Sequence, residues 1–255
     1  MGHVNMVEIL LKANADPNLI DEEYGTVLHT AANNRYQNIV EILLKANADP
    51  NLIGGKYGFP LQAAATRGHA KIAEILLQAK ADPNIIGGIY GTALQAAATT
   101  ETQVLVEILL QANAEPNLTG GKYGFPLQAA AASRHVKIVE ILLQANADPN
   151  LIGGMYGTAL QAAAVREAPA IVQVDPNLIG GEYGTALHAA AHWGRQSVVE
   201  ILLQANADPN LTGGEYGGAL EAAQRRGHHA IVECLLKAQG ISQPHWQKRR
   251  KITNE

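Results

Sequence analysis

A short motif recurs along the chain at an almost constant interval. The triad Asp-Pro-Asn, with Glu in place of Asp once, begins at Asp16, Asp49, Asp82, Glu115, Asp148, Asp175 and Asp208. The successive intervals are 33, 33, 33, 33, 27 and 33 residues. A fixed period of this size is typical of an array of stacked units and not of a single globular core. Because such arrays usually work by presenting a surface, the period favours a binding role.

The unit at residues 49–81 predicts a loop, a short helix, a turn and a longer helix. Its first ten residues contain four residues that favour a turn or a hairpin loop: Pro50, Gly54, Gly55 and Gly58. Pro60 then suits the first turn of a helix whose three alanines allow a neighbouring helix to approach closely. Gly68 is expected to end this helix.

The second predicted helix of the unit has one apolar side. Its apolar residues at helical spacing are Ile72, Ile75, Leu76 and Ala79. In five other units Asn follows this helix, and Asn tolerates the left-handed backbone conformation that ends many helices. Since no unit of this kind can bury its apolar stripe alone, we expect the units to stack.

These segments resemble the ankyrin repeat, whose pattern runs T-P-L-H-x-A-A followed by G-H and I-V-x-x-L-L. The four-residue segments that correspond to T-P-L-H are Thr26–His29, Phe59–Gln62, Thr92–Gln95, Phe125–Gln128, Thr158–Gln161, Thr185–His188 and Gly218–Glu221. Gln replaces His in four repeats and Glu replaces it in the last, which we expect to change local hydrogen bonds and not the architecture. The resemblance implies an all-α ankyrin solenoid, in which loop tips and first helices line a concave groove where partners bind. The recurring DPNLIGGxYGTALQAAA is also similar to the ankyrin tails of fungal proteins with an upstream NACHT-type NTPase.

The array is predicted to span residues 1–240, with irregularities at three places. Residues 3–13 match a second helix only, so we expect the chain to be a fragment or a truncated relative of a longer array. A short repeat around residues 158–174 lacks six residues equivalent to 141–146, and it is predicted to be the weakest joint. Residues 241–255 form a basic tail that is expected to be disordered, and the run at 247–251 is either solubilising or a nuclear signal.

Composition narrows the classes of partner. With 19 basic and 23 acidic residues the net charge is −4, which argues against binding nucleic acid or a membrane by bulk electrostatics. The single cysteine, Cys234, excludes an internal disulfide and is expected to be a buried small apolar residue. No secretory signal is evident, so we expect a reducing intracellular compartment, cytoplasmic unless the tail directs the chain to the nucleus.

The sequence offers little to support catalysis, a metal or a cofactor. The segments Gly54–Gly58 and Gly120–Gly124 read GGKYG and lack the Ser or Thr of a phosphate-binding loop. His188 and His192 are four residues apart, but no third ligand is spaced nearby. A Glu recurs in each complete second helix, which indicates a solvated or salt-bridging position and not a catalytic acid. We therefore expect no enzyme activity, no metal and no cofactor.

Comparing the repeats with one another separates the scaffold from the surface that varies. The residue before each loop Tyr changes from repeat to repeat, and so does the pair that follows each alanine run. From these positions we predict seven partner-binding residues in the groove: Lys56, Arg67, Ile89, Lys122, Met155, Trp193 and Arg225. Trp193 is the first choice of anchor, although it could instead cover the shortened repeat beside it. The seven loop Tyr residues either pack each loop on the next or contact the partner directly.

The sequence thus predicts a monomeric, non-enzymatic scaffold that binds a protein partner. Two alternatives stay open at this point. The chain could be a regulatory or sensor segment of a larger multidomain NTPase without a partner of its own, or an array with a purely structural role. A reading frame upstream that encodes G-x-x-x-x-G-K-[ST] would favour the NTPase alternative.

Overall fold

The computed structural model describes residues 2–166 and 175–241, and for residues 2 and 3 the backbone alone. The predicted shortening of the repeat at 167–174 and the tail at 242–255 lie outside these ranges. The chain divides into two compact units, Met1–Asp148 and Pro149–Glu255.

Unit 1 consists of one helix followed by four helix pairs. In chain order its helices are α1 (Gly2–Lys12), α2 (Val27–Asn33), α3 (Gln37–Lys45), α4 (Pro60–Thr66), α5 (Ala70–Gln78), α6 (Ala93–Ala98), α7 (Gln103–Gln111), α8 (Pro126–Ser133) and α9 (Val136–Gln144). Each pair has a short first helix and a second helix of nine residues. The order of loop, short helix, turn and longer helix predicted from the sequence is confirmed.

Unit 2 repeats this organisation. Its helices are α10 (Ala159–Arg166), α11 (Ala186–His192), α12 (Gln196–Gln204), α13 (Ala219–Arg226) and α14 (His229–Ala238). The last four form two complete pairs. In the described part of both units the extended backbone is limited to isolated antiparallel bridges, one in each loop, such as Gly54 with Gly58. The predicted all-α class with hairpin loops is confirmed.

Small side chains allow the first helices to pack closely. In unit 1, α4 packs against α2 and α6, and α6 packs against α8, while α5 packs against α3 and α7. The alanines of α4 (Ala63–Ala65) and of α6 (Ala96–Ala98) have no exposed surface. With only a methyl group at each position, neighbouring helices approach with little void between them. Stacking therefore buries what a single pair would leave exposed.

The second helices contribute the larger apolar side chains of the core. One Leu at the same position of each repeat in unit 1 is almost completely buried, namely Leu43, Leu76, Leu109 and Leu142. In α5 the buried residues are Ile72, Ala73 and Leu76, whereas Ile75 and Ala79 are only partly buried. The predicted stripe was therefore wrong by part of a turn, because the buried side of the helix is centred between Ile72 and Ala73.

Left-handed residues end the helices where the sequence suggested. Asn14, Asn47, Asn113, Asn146 and Asn206 all have φ between 61° and 63°, and Lys80 has φ 66° at the same position. Gly68 ends α4 with φ 71°, and Arg35, Arg134, Gly194 and Gly227 also have positive φ at this position, whereas the repeat of α6 and α7 has Glu101 there. Among the loops, Gly91 has φ 93°, and a side chain there would collide with Gln95 and with the backbone of Gly120. That close approach explains why Gly recurs at this loop position.

Candidate functional site

In five of the triads the Asn links one repeat to the next within the described residues. Asn84 donates from Nδ2 to the carbonyl oxygen of Asn113 at 2.9 Å, and its Oδ1 accepts from the backbone N–H of Glu115 at 2.8 Å. Asn18, Asn51, Asn117 and Asn177 make the same two bonds to the repeat that follows them. The sequence revealed this triad as a period marker and not as a connector between repeats.

A second set of hydrogen bonds joins a first helix both to its own loop and to the loop of the next repeat. His29 accepts the backbone N–H of Thr26 at Nδ1 (3.0 Å), and its Nε2 faces the carbonyl oxygen of Gly58 in the next loop (3.2 Å). Gln95 uses its two ends in the same way, accepting from Thr92 and donating to Gly124 at 2.6 Å. At Gln95 the replacement of His by Gln therefore keeps both bonds, although the sequence suggested that local hydrogen bonds would change.

With these residues engaged in the scaffold, the side chains that vary lie at the loop tips. In unit 1 the tips are joined by backbone hydrogen bonds from Ile89 N–H to the Lys56 carbonyl (3.3 Å) and from Lys122 N–H to the Ile89 carbonyl (3.2 Å). In unit 2 the Glu215 N–H bonds the Glu182 carbonyl at 3.0 Å. These bonds place Lys56, Ile89 and Lys122 side by side on adjacent tips, and all three are exposed.

The loop Tyr rings pack on one another along the array. Tyr90 and Tyr123 are stacked with ring centroids 6.4 Å apart, and in unit 2 Tyr183 and Tyr216 are stacked at 6.3 Å. Of the two roles considered for this row, the geometry of these pairs supports packing of each loop on the next. Tyr24 differs, because 63% of its surface is exposed.

The two tip lysines lie against this aromatic row. The ammonium of Lys56 is 4.9 Å from the centroid of Tyr57, and that of Lys122 is 5.0 Å and 4.9 Å from the centroids of Tyr90 and Tyr123. Cation–π attraction holds both charges in place without neutralising them. Lys122 is therefore a positioned positive charge next to the exposed apolar side chain of Ile89.

Two clefts in unit 1 share Arg67. The tip cleft, of about 310 Å³, lies between the loop tips and the first helices and is lined by Glu23, Tyr24, His29, Thr30, Asn33, Asn34, Gly54, Gly55, Lys56, Tyr57 and Arg67. The turn cleft, of about 370 Å³, lies where first helices turn into second helices and is lined by Arg35, Gln37, Arg67, Gly68, His69, Ala70, Lys71 and Ile72. The structure thus brings two of the predicted residues, Lys56 and Arg67, to one cleft.

In unit 2 the predicted residues are more scattered. Met155 is exposed at a loop tip, and Trp193 is 44% exposed, with its ring edge-on to Tyr183 at 6.4 Å. Arg225 is exposed and makes no hydrogen bond or ion pair with the part of the chain that the structure describes. The alternative role of Trp193, covering the shortened repeat, concerns residues that lie outside the described ranges.

Comparison of the repeats assigned the pair after each alanine run to the variable surface, but His192 of one such pair is buried. His192 is buried at 4% exposure beneath Tyr216, whose ring centroid is 4.3 Å away. Its Nε2 lies 2.7 Å from the guanidinium of Arg226. Burial lowers the pKa of His192, and the positive charges of Arg226 and His228 lower it further. The first member of the pair is also buried at Ala132 and Val165, so the second member is the better marker of the variable surface.

Two further expectations change in detail. Cys234 is only partly buried, and that burial raises the pKa of its thiol, which keeps it protonated near neutral pH. The recurring Glu pairs within its own helix where an ion pair is seen, as in Lys71–Glu74 and Lys137–Glu140, both at 2.8 Å. These are exposed pairs of the i,i+3 type, and solvent screening leaves such pairs little effect on stability.

The described residues include no group of three or more His, Cys, Asp and Glu side chains that could hold a metal ion. His188 instead lies with Nε2 at 2.8 Å from the carbonyl oxygen of Leu211, as a link between loops. Within residues 2–166 and 175–241 no helix is long and apolar enough to cross a membrane.

Comparison with known proteins agrees with this geometry. The family model described as ankyrin repeats (3 copies) matches residues 1–87 and 85–153, and the model for a single ankyrin repeat matches residues 184–213. The crystal structure of the human ASB11 ankyrin repeat domain is similar, with 23% sequence identity and a TM-score of 0.71. The similarity covers 86% of this chain and 99% of that one, and at this identity it supports the fold alone. No curated protein sequence matches the chain.

Proposed function

Because this chain belongs to the ankyrin repeat family, we propose that it is a non-enzymatic scaffold that binds a protein partner. Ankyrin repeats are generally protein-interaction modules, and stacked repeats within each unit present a row of exposed loop tips. The proposed binding face consists of the loop tips and the exposed ends of the first helices. Its members are the predicted residues Lys56, Arg67, Ile89, Lys122, Met155, Trp193 and Arg225.

One observation carries this proposal. The polar residues that recur in the repeats are hydrogen-bonded between repeats, as at Asn84 and Gln95, whereas the residues that vary at the tips are exposed. The exposed apolar tip residue Ile89 stands beside the positioned charge of Lys122, and Met155 is a second exposed apolar tip residue. A mixture of apolar, aromatic and Arg side chains is the usual composition of an interface centre.

A capture experiment with two matched variants tests the binding face. The first variant changes Lys56, Ile89, Lys122 and Trp193 to Ala, and the second changes Lys45, Val104 and Lys137 to Ala, which are exposed second-helix residues outside both clefts. We expect partners captured by the wild-type chain to be lost with the first variant and kept with the second. Equal capture by both variants, with circular dichroism showing intact helices, would refute the proposed face.

A cytoplasmic, monomeric protein is part of the same proposal. The chain has a single cysteine and cannot form an internal disulfide, whereas small domains in oxidising compartments are commonly stabilised by disulfides. This supports a reducing compartment. The basic run at 247–251 supports a nuclear location as the second possibility. Fluorescence microscopy of the tagged chain with and without residues 247–251 distinguishes the two locations.

A second candidate function rests on the likeness of the loop segments to ankyrin tails of fungal NACHT-type NTPase proteins. In that case the array would be a regulatory or sensor segment of a larger protein. The recurring DPNLIGG loop favours this candidate. Finding a G-x-x-x-x-G-K-[ST] motif in the reading frame upstream of this array would support it, and a stop codon there would oppose it.

A further inference from the structure

Unit 1 carries positive side chains that the protein does not neutralise. Arg35, Lys56 and Arg67 line the tip cleft, the turn cleft or both, and none forms an ion pair within the described residues. Lys71, which also lines the turn cleft, is paired with Glu74 at 2.8 Å. Glu23 is the acidic residue that lines the tip cleft, and the turn cleft has no acidic lining residue.

Two of these cations, Arg67 and Lys56, are held in place by neutral groups. The Nε–H of Arg67 donates to Oδ1 of Asn33 at 3.2 Å, and this bond uses one of the five N–H donors of the guanidinium. Lys56 lies over the ring of Tyr57. Arg35 is exposed on a turn residue with φ 61°. The side chains of Arg67 and Lys56 are thus positioned, and most of the hydrogen-bond donors of all three cations have no acceptor in the described part of the chain.

The pKa of a nearby histidine, His69, is affected by these positive charges. His69 lies in the turn cleft, and its pKa is lowered by burial and, in addition, by the charges of Arg35 and Arg67, although the bond to the Asn33 carbonyl opposes this. Cations that form no ion pair within the protein can attract carboxylates, and Arg in particular binds a carboxylate through two parallel N–H bonds.

We propose that the two clefts sharing Arg67 bind an acidic peptide segment of the partner, with one carboxylate at Lys56 and Arg67 and another at Arg35. This inference rests on the proposed function and names the chemistry of the partner for that face. It confines the acidic contact to unit 1, because the tips of unit 2 carry Glu182 and Glu215.

The charge pattern favours a peptide over a nucleic acid. A nucleic acid carries a negative charge at every nucleotide, so Glu23 in the tip cleft would oppose part of its backbone. A peptide can place a neutral residue beside Glu23 and acidic residues on either side. The net charge of −4 also gives the chain no general attraction for polyanions.

Fluorescence anisotropy with the full chain tests this proposal. The probe is a fluorescein-labelled peptide of four Glu-Gly-Ser units, compared with the same peptide carrying Gln for Glu and with a single-stranded poly(U) oligomer. We expect the Glu peptide to bind, with affinity that falls as NaCl rises from 50 to 300 mM, and the Gln peptide to bind at least about tenfold more weakly. Equal binding of the Glu and Gln peptides would overturn the proposal, and so would tighter binding of poly(U).

Variants locate the contact. Arg67→Gln should weaken the Glu peptide about tenfold, whereas Lys45→Gln, the same loss of charge on an exposed residue of α3 outside both clefts, should change it less than about twofold. Glu23→Gln should tighten binding about twofold, a gain that misfolding could not produce. Equal effects of Arg67→Gln and Lys45→Gln, or no gain with Glu23→Gln, would contradict the proposed contact.

The outcomes separate this inference from the proposed function. If partner capture depends on Ile89 and Trp193 but Arg67→Gln has no effect on the Glu peptide, the acidic-segment inference alone fails. If the variant with four Ala substitutions captures as much partner as the wild-type chain does, the proposed binding face is also refuted.

Discussion

At the scale of single residues, recurring polar side chains of the described repeats act as connectors between repeats. Asn84 bonds both the backbone N–H and a backbone carbonyl of the following repeat. Asn210 occupies the same place in the last triad, and its side chain makes no hydrogen bond to the described residues that follow it. This difference offers a comparison of one residue type with and without its link.

We predict that Asn84→Ala lowers the free energy of unfolding by about 1–2 kcal/mol, because it removes two hydrogen bonds between repeats. Asn210→Ala should lower it by less than about 0.5 kcal/mol. Urea denaturation followed by circular dichroism measures both changes. Similar losses for the two variants would show that the link contributes little and that the Asn acts through its own loop.

His29 gives a pH-dependent contribution at the same scale. Its Nδ1 accepts a backbone N–H, so the hydrogen is assigned to Nε2, and burial lowers the pKa of this ring from its ordinary value of 6.5. The folded state therefore resists a proton that the unfolded chain accepts. The stabilisation is present above pH 6.5 and declines as the pH falls below that value towards the lower pKa of the folded state.

We predict that His29→Gln makes stability less sensitive to acid, because Gln95 makes the equivalent bonds without titrating. The difference in unfolding free energy between wild type and variant should change by at most about 1.4 kcal/mol per pH unit below pH 6.5. Urea denaturation at pH 7.5, 6.5 and 5.5 measures it. His69 and His192, whose pKa values are also lowered, remain in both proteins and cancel in the comparison. A constant difference across this range would contradict the prediction.

At the scale of the helix and its loop, much of the structure was predictable from local chemistry. Gly68 and Asn47 ended helices as expected, because turn and cap preferences are set by the residue itself. The burial of His192 was not predictable, since it depends on Tyr183 and Tyr216 packing around it from the loops of unit 2. The inter-repeat bonds of Asn84 were missed for the same reason, because their acceptor and donor are backbone groups about thirty residues away.

The buried Gln of the first helices yields a prediction at this scale. Gln95 has no exposed surface and joins α6 to the next loop through Leu118, Gly120 and Gly124. Gln95→Ala should destabilise the protein by about 2–3 kcal/mol, since buried carbonyl groups and the Thr92 N–H lose their partner. Gln95→His should cost less than about 1 kcal/mol, because His29 makes the corresponding bonds in the first complete repeat. Thermal denaturation compares the two, and equal losses would contradict the equivalence of Gln and His.

At the scale of the whole molecule, the fold follows from the period, but the surface in use does not. Near-identical units can stack because each second helix places a Leu such as Leu76 in the core and each first helix presents alanines. The period does not indicate which exposed residues a partner contacts, since the varying side chains at the tips are not required for stacking. The clefts that share Arg67 emerged only from the arrangement of adjacent repeats in unit 1.

The central claim is that the loop tips, and not the outer helices, contact the partner, and site-specific photocrosslinking tests it most directly. A photoreactive side chain placed at Ile89 replaces an exposed tip residue, and one at Val104 replaces an equally apolar residue that is 57% exposed on α7. We predict that irradiation in cells links partner protein to the chain labelled at position 89 and not to the chain labelled at position 104. Crosslinks to the same partner from position 104 alone would contradict the account.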